Sequence, residues 1–175
     1  MPRVTACSTL TFALSSLQTA LEHIARYGFD RVEIADMLTH TKHFSTHSSR
    51  TVDPVAVREL LKRNGLTAIA ANCVLATIYQ EGLGYEKVAA PRQSAAERED
   101  VRKAKENVVF YKLHEPRQAE AYKAQALAHL DNLSVVGVPM VCLNVGRRAQ
   151  MKDPDGELQA AAAVIDEVAE NARRR

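Results

Sequence analysis

The sequence predicts an α/β fold built on a parallel sheet, and two observations predict it. First, three segments share one grammar: an amphipathic helix, a glycine, an apolar residue, then a strand. Second, the candidate strands include near-continuous apolar runs, "LTAIAA" and "VPMVCL", as expected of strands buried on both faces. Strands that alternate with helices are joined by right-handed βαβ crossovers, which makes the sheet parallel.

The elements follow in order. A strand over Arg3–Thr9, "RVTACST", opens the chain. In the helix after it, Leu17, Leu21 and Ile24 recur at helical spacing, Ser15 or Ser16 can cap the start, and Gly28 supplies the stop. "DRVEIA", Asp30–Ala35, is the second strand. The next helix has Asp53 at its N-cap, Pro54 at its first position and Gly65 at its end. It leads into "LTAIAAN", Leu66–Asn72. A later helix carries the stripe Tyr122, Ala126, Leu130 and Leu133, breaks at Gly137 and precedes "PMVCLNV", Pro139–Val145. A last helix, "GELQAAAAVIDEVAENARRR", follows. The spacing from Gly65 to Gly137 is nearly twice that from Gly28 to Gly65, so a long insert follows the third strand, from about Ile78 to His114. It holds a polar helical stretch, "SAAEREDVRKAKEN", and then "VVFYKL". The favoured reading is a long loop with its own helix, of the kind that forms lids or binding loops. The alternative makes "VVFYKL" the strand of an additional βα unit, with Asn107 ending the helix before it.

Composition bounds the function. The 175 residues make a normal single domain, 1–175, and the 46% hydrophobic and 25% charged content is that of a globular protein. A formal charge of +2 argues for neither nucleic acid nor an anionic membrane as partner. No apolar run approaches the roughly 18 residues that span a bilayer. Thr and Ser interrupt the N-terminal stretch, so no signal peptide is read there. Cys7, Cys73 and Cys142 are odd in number and far apart, with no CxxC spacing. They read as reduced thiols in a cytoplasmic protein.

Three stretches, "STLTFALSSLQTALEHIARYGFDRVEI", "VDPVAVRELLKRNGLTAIAAN" and "NLSVVGVPMVCLNVG", resemble the first half of a xylose isomerase-like TIM barrel. That superfamily comprises sugar isomerases, epimerases and apurinic-site endonucleases. The resemblance implies a partial TIM barrel of about four βα units, expected to be incomplete at its C-terminus, since a closed barrel needs about 250 residues and eight strands. It also implies metal-assisted proton transfer next to a carbonyl on a small sugar or polyol. In such enzymes carboxylates and a histidine on the later strands hold the divalent ion. Mn, Mg, Zn or Co is therefore expected only in a full-length relative, this chain carrying no cofactor and no turnover of its own. The endonuclease branch carries metal-binding histidines at the ends of strands three and four, where this chain reads "AANC" and "LNVG". The competing reading is a non-catalytic half-barrel that binds a partner or forms a homodimer through open sheet edges.

In a TIM barrel the working groups sit at the carboxyl ends of strands and in the loops beyond them. Those positions are Ser8 and Thr9, Glu33 and Asp36, Asn72 and Cys73, and Asn144 with Arg147. Glu33, flanked by apolar residues in "RVEIA", either lines the pocket or pairs with a cation on a neighbouring strand. Asn72 and Asn144 suit hydroxyl groups, or else cap loops. Cys73 is no nucleophile, because no histidine partner can be named for it. His40, His43 and His47 cluster in "THTKHFSTHSS". A metal site there lacks a shell to orient the rings, which leaves a solvated loop, with His43 the candidate to touch substrate at the pocket mouth. His114 is read as a helix-capping residue, and His23 and His129 as surface or boundary positions.

Overall fold

The computed structural model describes residues 5–36, 43–44, 53–75, 77–78, 108–109, 111–144 and 153–174, with the backbone alone at 77–78 and 108–109. Strand β1 is Cys7–Ser8. It runs into a 3₁₀ turn, Thr9–Phe12, and helix α1, Leu17–Arg26. Then come β2, Arg31–Asp36, α2, Pro54–Arg63, and β3, Thr67–Val74. Two short strands follow, β4, Thr77–Ile78, and β5, Val108–Val109. Helix α3, Pro116–Val136, strand β6, Val141–Asn144, and helix α4, Pro154–Arg173, complete the order.

The main sheet has four strands in the order β1-β2-β3-β6, and every pairing in it is parallel. The four strands read from the sequence are therefore neighbours in sequential order. Strands β4 and β5 pair antiparallel with each other and stay outside the parallel sheet. "VVFYKL" thus contributes two residues to a two-stranded antiparallel pair and, among the described residues, founds no further βα unit. The polar stretch 94–107, the loop residues His40 and His47, and Arg147 lie outside the described residues.

Local chemistry explains the boundaries. Ser16 Oγ accepts from Thr19 N at 3.1 Å and caps α1, and Asp53 Oδ1 accepts from Val55 N at 2.9 Å and caps α2. Gly28, Gly65 and Gly137 take φ of 83°, 65° and 90°, the left-handed region that lets the chain leave a helix for a strand at little steric cost. Burial sorts the strands into two faces. Val32, Ile34, Ala68, Ala71 and Cys73 pack with Leu21 and Ile24 of α1, Val57 and Leu61 of α2, and Leu133 and Val136 of α3. A second cluster joins α3 to α4 through Tyr122, Ala126, Ala161, Val164 and Val168. The helices lie on one side of the sheet, as successive βα units of one hand require.

Candidate functional site

Register partners in a parallel pair share a face, and successive residues along a strand alternate between faces. Ser8 lies opposite Glu33, Glu33 opposite Ala70, Ala35 opposite Asn72, and Asn72 opposite Cys142. Asn144 follows Cys142 by two residues and shares its face. Glu33, Asn72 and Asn144 are therefore brought together on the face turned away from the helices. Glu33 and Asn72 are half-buried, whereas Cys142 and Asn144 are exposed. Among the described residues no cation forms an ion pair with Glu33, so its carboxylate is not consumed by the sheet itself. A carboxylate and two amides present both acceptors and donors, the complement that hydroxyl groups require.

The other strand-end residues are taken up by the fold. Ser8 Oγ accepts from Leu10 N at 3.2 Å and caps the 3₁₀ turn. Thr9 is fully buried, and its Oγ1 accepts from Ala35 N at 3.0 Å. His43 departs from the solvated loop expected of it. It is fully buried, and its Nε2 donates to the carbonyl of Ser15 at 3.0 Å. Burial lowers its pKa below the ordinary histidine value, the hydrogen bonds to Ser15 and Phe12 opposing that shift in part. The ring thus ties its loop to the turn before α1, and the next residue, Phe44, is part of the core.

Sequence reasoning missed one constellation. His129 was read as a surface or boundary residue, and Cys73 as a thiol with no histidine partner. Both readings are corrected by the packing of α3. His129 is fully buried, with Nε2 2.8 Å from Cys73 Sγ and 3.8 Å from Asp36 Oδ2. Phe44 meets the imidazole edge-on, with ring centroids 5.5 Å apart. Burial pushes the Asp36 carboxyl up to about 8, and burial, aided by the charge of Asp36, pushes the Cys73 thiol well above its ordinary range. The three groups lie between the sheet and α3, away from the Glu33 face. His114 also departs from expectation. Its Nδ1 pairs with Glu157 Oε2 of α4 at 3.3 Å, while the cap position of α3 is Glu115.

The divalent ion implied by the resemblance does not fit these residues. A hard cation needs several oxygen ligands converging at close range. Among the described residues the inner face offers the Glu33 carboxylate and neutral amides, and no group of three His, Cys, Asp or Glu side chains among them is arranged to hold a metal. No helix among them is long and apolar enough to cross a membrane.

No family model and no curated protein matches the chain. Among solved structures the fold is similar to that of a sugar phosphate isomerase/epimerase from Parabacteroides distasonis ATCC 8503, with a TM-score of 0.56 and 9% sequence identity. The likeness covers 99% of this chain and 49% of that one, so this chain spans about half the length of its structural neighbour. At such identity the likeness shows the fold: parallel βα units consistent with part of a TIM barrel.

Proposed function

We propose that the chain is the substrate-binding half of a sugar isomerase/epimerase-type barrel, and that its inner face holds a small sugar or polyol. The observation that carries this reading is the convergence of Glu33, Asn72 and Asn144 on one face near the carboxyl ends of parallel strands. The likeness to a structural neighbour that is a sugar phosphate isomerase/epimerase supports it. The carboxylate of Glu33 accepts from sugar hydroxyls, while the two amides each donate and accept and so fix orientation. Proton transfer next to a carbonyl with help from a metal is the family's chemistry. No step of it is assigned to this chain, because no group of three ligating side chains among the described residues is arranged to hold the ion. The reading extends to the setting of such an enzyme, sugar metabolism in the cytoplasm, with no nucleic acid or membrane as partner.

Titration with aldoses, ketoses, polyols and their phosphates, followed by amide NMR, tests the proposal. Shifts should cluster at Glu33, Asn72 and Asn144, and Glu33→Gln and Asn72→Ala should each weaken binding. Adding Mn²⁺ should produce no isomerisation. Shifts confined to the helix side, or metal-dependent turnover, would contradict it.

A further inference from the structure

We propose that His43 and Phe44 form an acid-released plug: when His43 takes up a proton, both side chains leave the interior, and the segment between β2 and α2 parts from α1 and α3. The two residues are adjacent in sequence, and each is held by a different part of the fold. His43 is fully buried, with Nε2 3.0 Å from the carbonyl of Ser15, one residue before the cap of α1. Phe44 is buried in the main core cluster and meets His129 of α3 edge-on, the ring centroids 5.5 Å apart. His129 is itself fully buried, its Nε2 2.8 Å from Cys73 Sγ and 3.8 Å from Asp36 Oδ2. The dipeptide therefore links the turn before α1 to α3, with a buried imidazole at each end of the link.

Such a link favours neutral rings. An imidazolium inside the protein loses its hydration, which disfavours the charged form. Burial accordingly lowers the pKa of His43, and its hydrogen bonds to the backbone of Ser15 and Phe12 oppose that shift only in part. The titratable groups about the link, among the described residues, are Asp36 of β2 and Cys73 of β3, both beside His129, and His23 of α1, which stacks on Phe12 at 5.4 Å. Burial pushes the Asp36 carboxyl up to about 8, so below neutrality it brings no negative charge to the link. Once released, His43 regains the ordinary histidine value of 6.5 and binds a proton that the buried ring resists. Falling pH therefore draws the equilibrium toward release, and one histidine sets a limit of roughly tenfold in the released fraction between pH 7.5 and pH 5.5. The opening is local, because the packing of Leu21, Val57 and Leu133 against the sheet does not depend on the dipeptide. It is also independent of the sugar-binding reading, since neither residue belongs to the inner face.

Thiol labelling of the full chain with 4,4′-dithiodipyridine at pH 7.5 and pH 5.5, read by mass spectrometry of peptides, is the experiment. Cys73 touches the ring that Phe44 packs against and reports release, while exposed Cys142 is the reference. The rate at Cys73 relative to Cys142 should rise severalfold at pH 5.5, up to about tenfold, with the helical circular dichroism unchanged. His43→Gln keeps a side-chain N–H for Ser15 but takes up no proton, so it should abolish the rise. Phe44→Ala removes the plug itself and should leave Cys73 reactive at both pH values. A flat ratio in the parent would overturn the proposal. So would a rise that survives in His43→Gln, a rise that accompanies loss of helix, or a folded Phe44→Ala variant in which Cys73 stays protected.

Discussion

His129 Nε2 lies 2.8 Å from Cys73 Sγ, and this contact fastens the middle of α3 to the third strand of the sheet. Both residues are fully buried, and the Asp36 carboxylate completes the group 3.8 Å from the same nitrogen. Cysteine, histidine and aspartate together suggest nucleophilic chemistry, but the environment opposes it. A nucleophile must be a thiolate with access to substrate, and burial holds Cys73 protonated and out of reach. The contact works as a clasp: a buried polar group stays where it is hydrogen-bonded, and here that means α3 against β3. His129→Ala should destabilise the fold by about 1–3 kcal/mol in urea melts, since it removes a buried partner and leaves a cavity. A change within a few tenths of a kcal/mol would show that the clasp is idle.

The three thiols should differ sharply in reactivity. Cys142 is exposed, Cys7 is half-buried and Cys73 is buried. Iodoacetamide at pH 8, followed by mass spectrometry of peptides, should label Cys142 first, Cys7 more slowly, and Cys73 only after unfolding. Rapid native labelling of Cys73 would place it on an accessible surface and reopen its candidacy as a nucleophile.

Asp36 makes stability depend on pH in a direction that can be worked out. Its ordinary value is 3.8, and burial raises it to about 8 in the folded protein. Between those values the folded state holds a proton that the unfolded state has lost, so this group's contribution is full below about 4 and declines up to about 8. Among the described residues neither carboxylate oxygen has a hydrogen-bond partner, so burial dominates and disfavours the ionised form. Asp36→Asn is neutral throughout. Relative to the parent, the variant should gain stability steadily from pH 4 to pH 8, by an amount on the order of a few kcal/mol, and gain no more above that. Urea melts of both proteins at pH 4, 6, 8 and 9 check this. A stability difference independent of pH would mean that Asp36 is ionised in the folded protein.

The fold was legible because its signals are local and repeated. Ser16, Asp53 and the three helix-ending glycines mark boundaries through backbone chemistry that acts within a few residues. The position of Asn72 and Asn144 near strand ends was legible too, whereas the face that Glu33 shares with them follows only from the register of the strands. The clasp was not legible. It joins residues from β2, β3 and α3, and their separation in sequence hides the contact. One clue was present: Tyr122, Ala126, His129, Leu133 and Val136 are all buried, at alternating spacings of four and three. Reading Leu130 into that stripe in place of His129 displaced the histidine to the surface, although Leu130 is only half-buried. His43 was misread for another reason. Its neighbours are polar, and nothing local shows that Ser15 waits for it across the fold.

The N-cap of α2 offers a check on local stability. Asp53 Oδ1 satisfies Val55 N, one of the amides that a helix start leaves without an internal partner. Asp53→Ala should cost about 1 kcal/mol, and Asp53→Ser should recover most of it. If Ser and Ala lose the same amount, the side chain is not acting as a cap.

His43 gives the sharpest test of the histidine loop. Its Nε2 carries the proton donated to the Ser15 carbonyl, so that nitrogen cannot also ligate a metal. Its ring is wholly inside, beside a core phenylalanine. His43→Ala should therefore destabilise the protein by about 1–3 kcal/mol at pH 8, through the lost hydrogen bond and the space left behind. The pH dependence runs opposite to that of Asp36. Burial lowers the pKa of His43 in the folded state, so its contribution is full above about 6.5 and is lost as pH falls, when the unfolded chain takes up a proton more readily. The penalty for His43→Ala should thus shrink between pH 7 and pH 5. Thermal melts with and without Zn²⁺ complete the test, because an ion bound only by the native state would raise the melting temperature. A zinc-dependent rise in the parent that His43→Ala abolishes would show that the ring binds metal, through Nδ1 or by leaving Ser15.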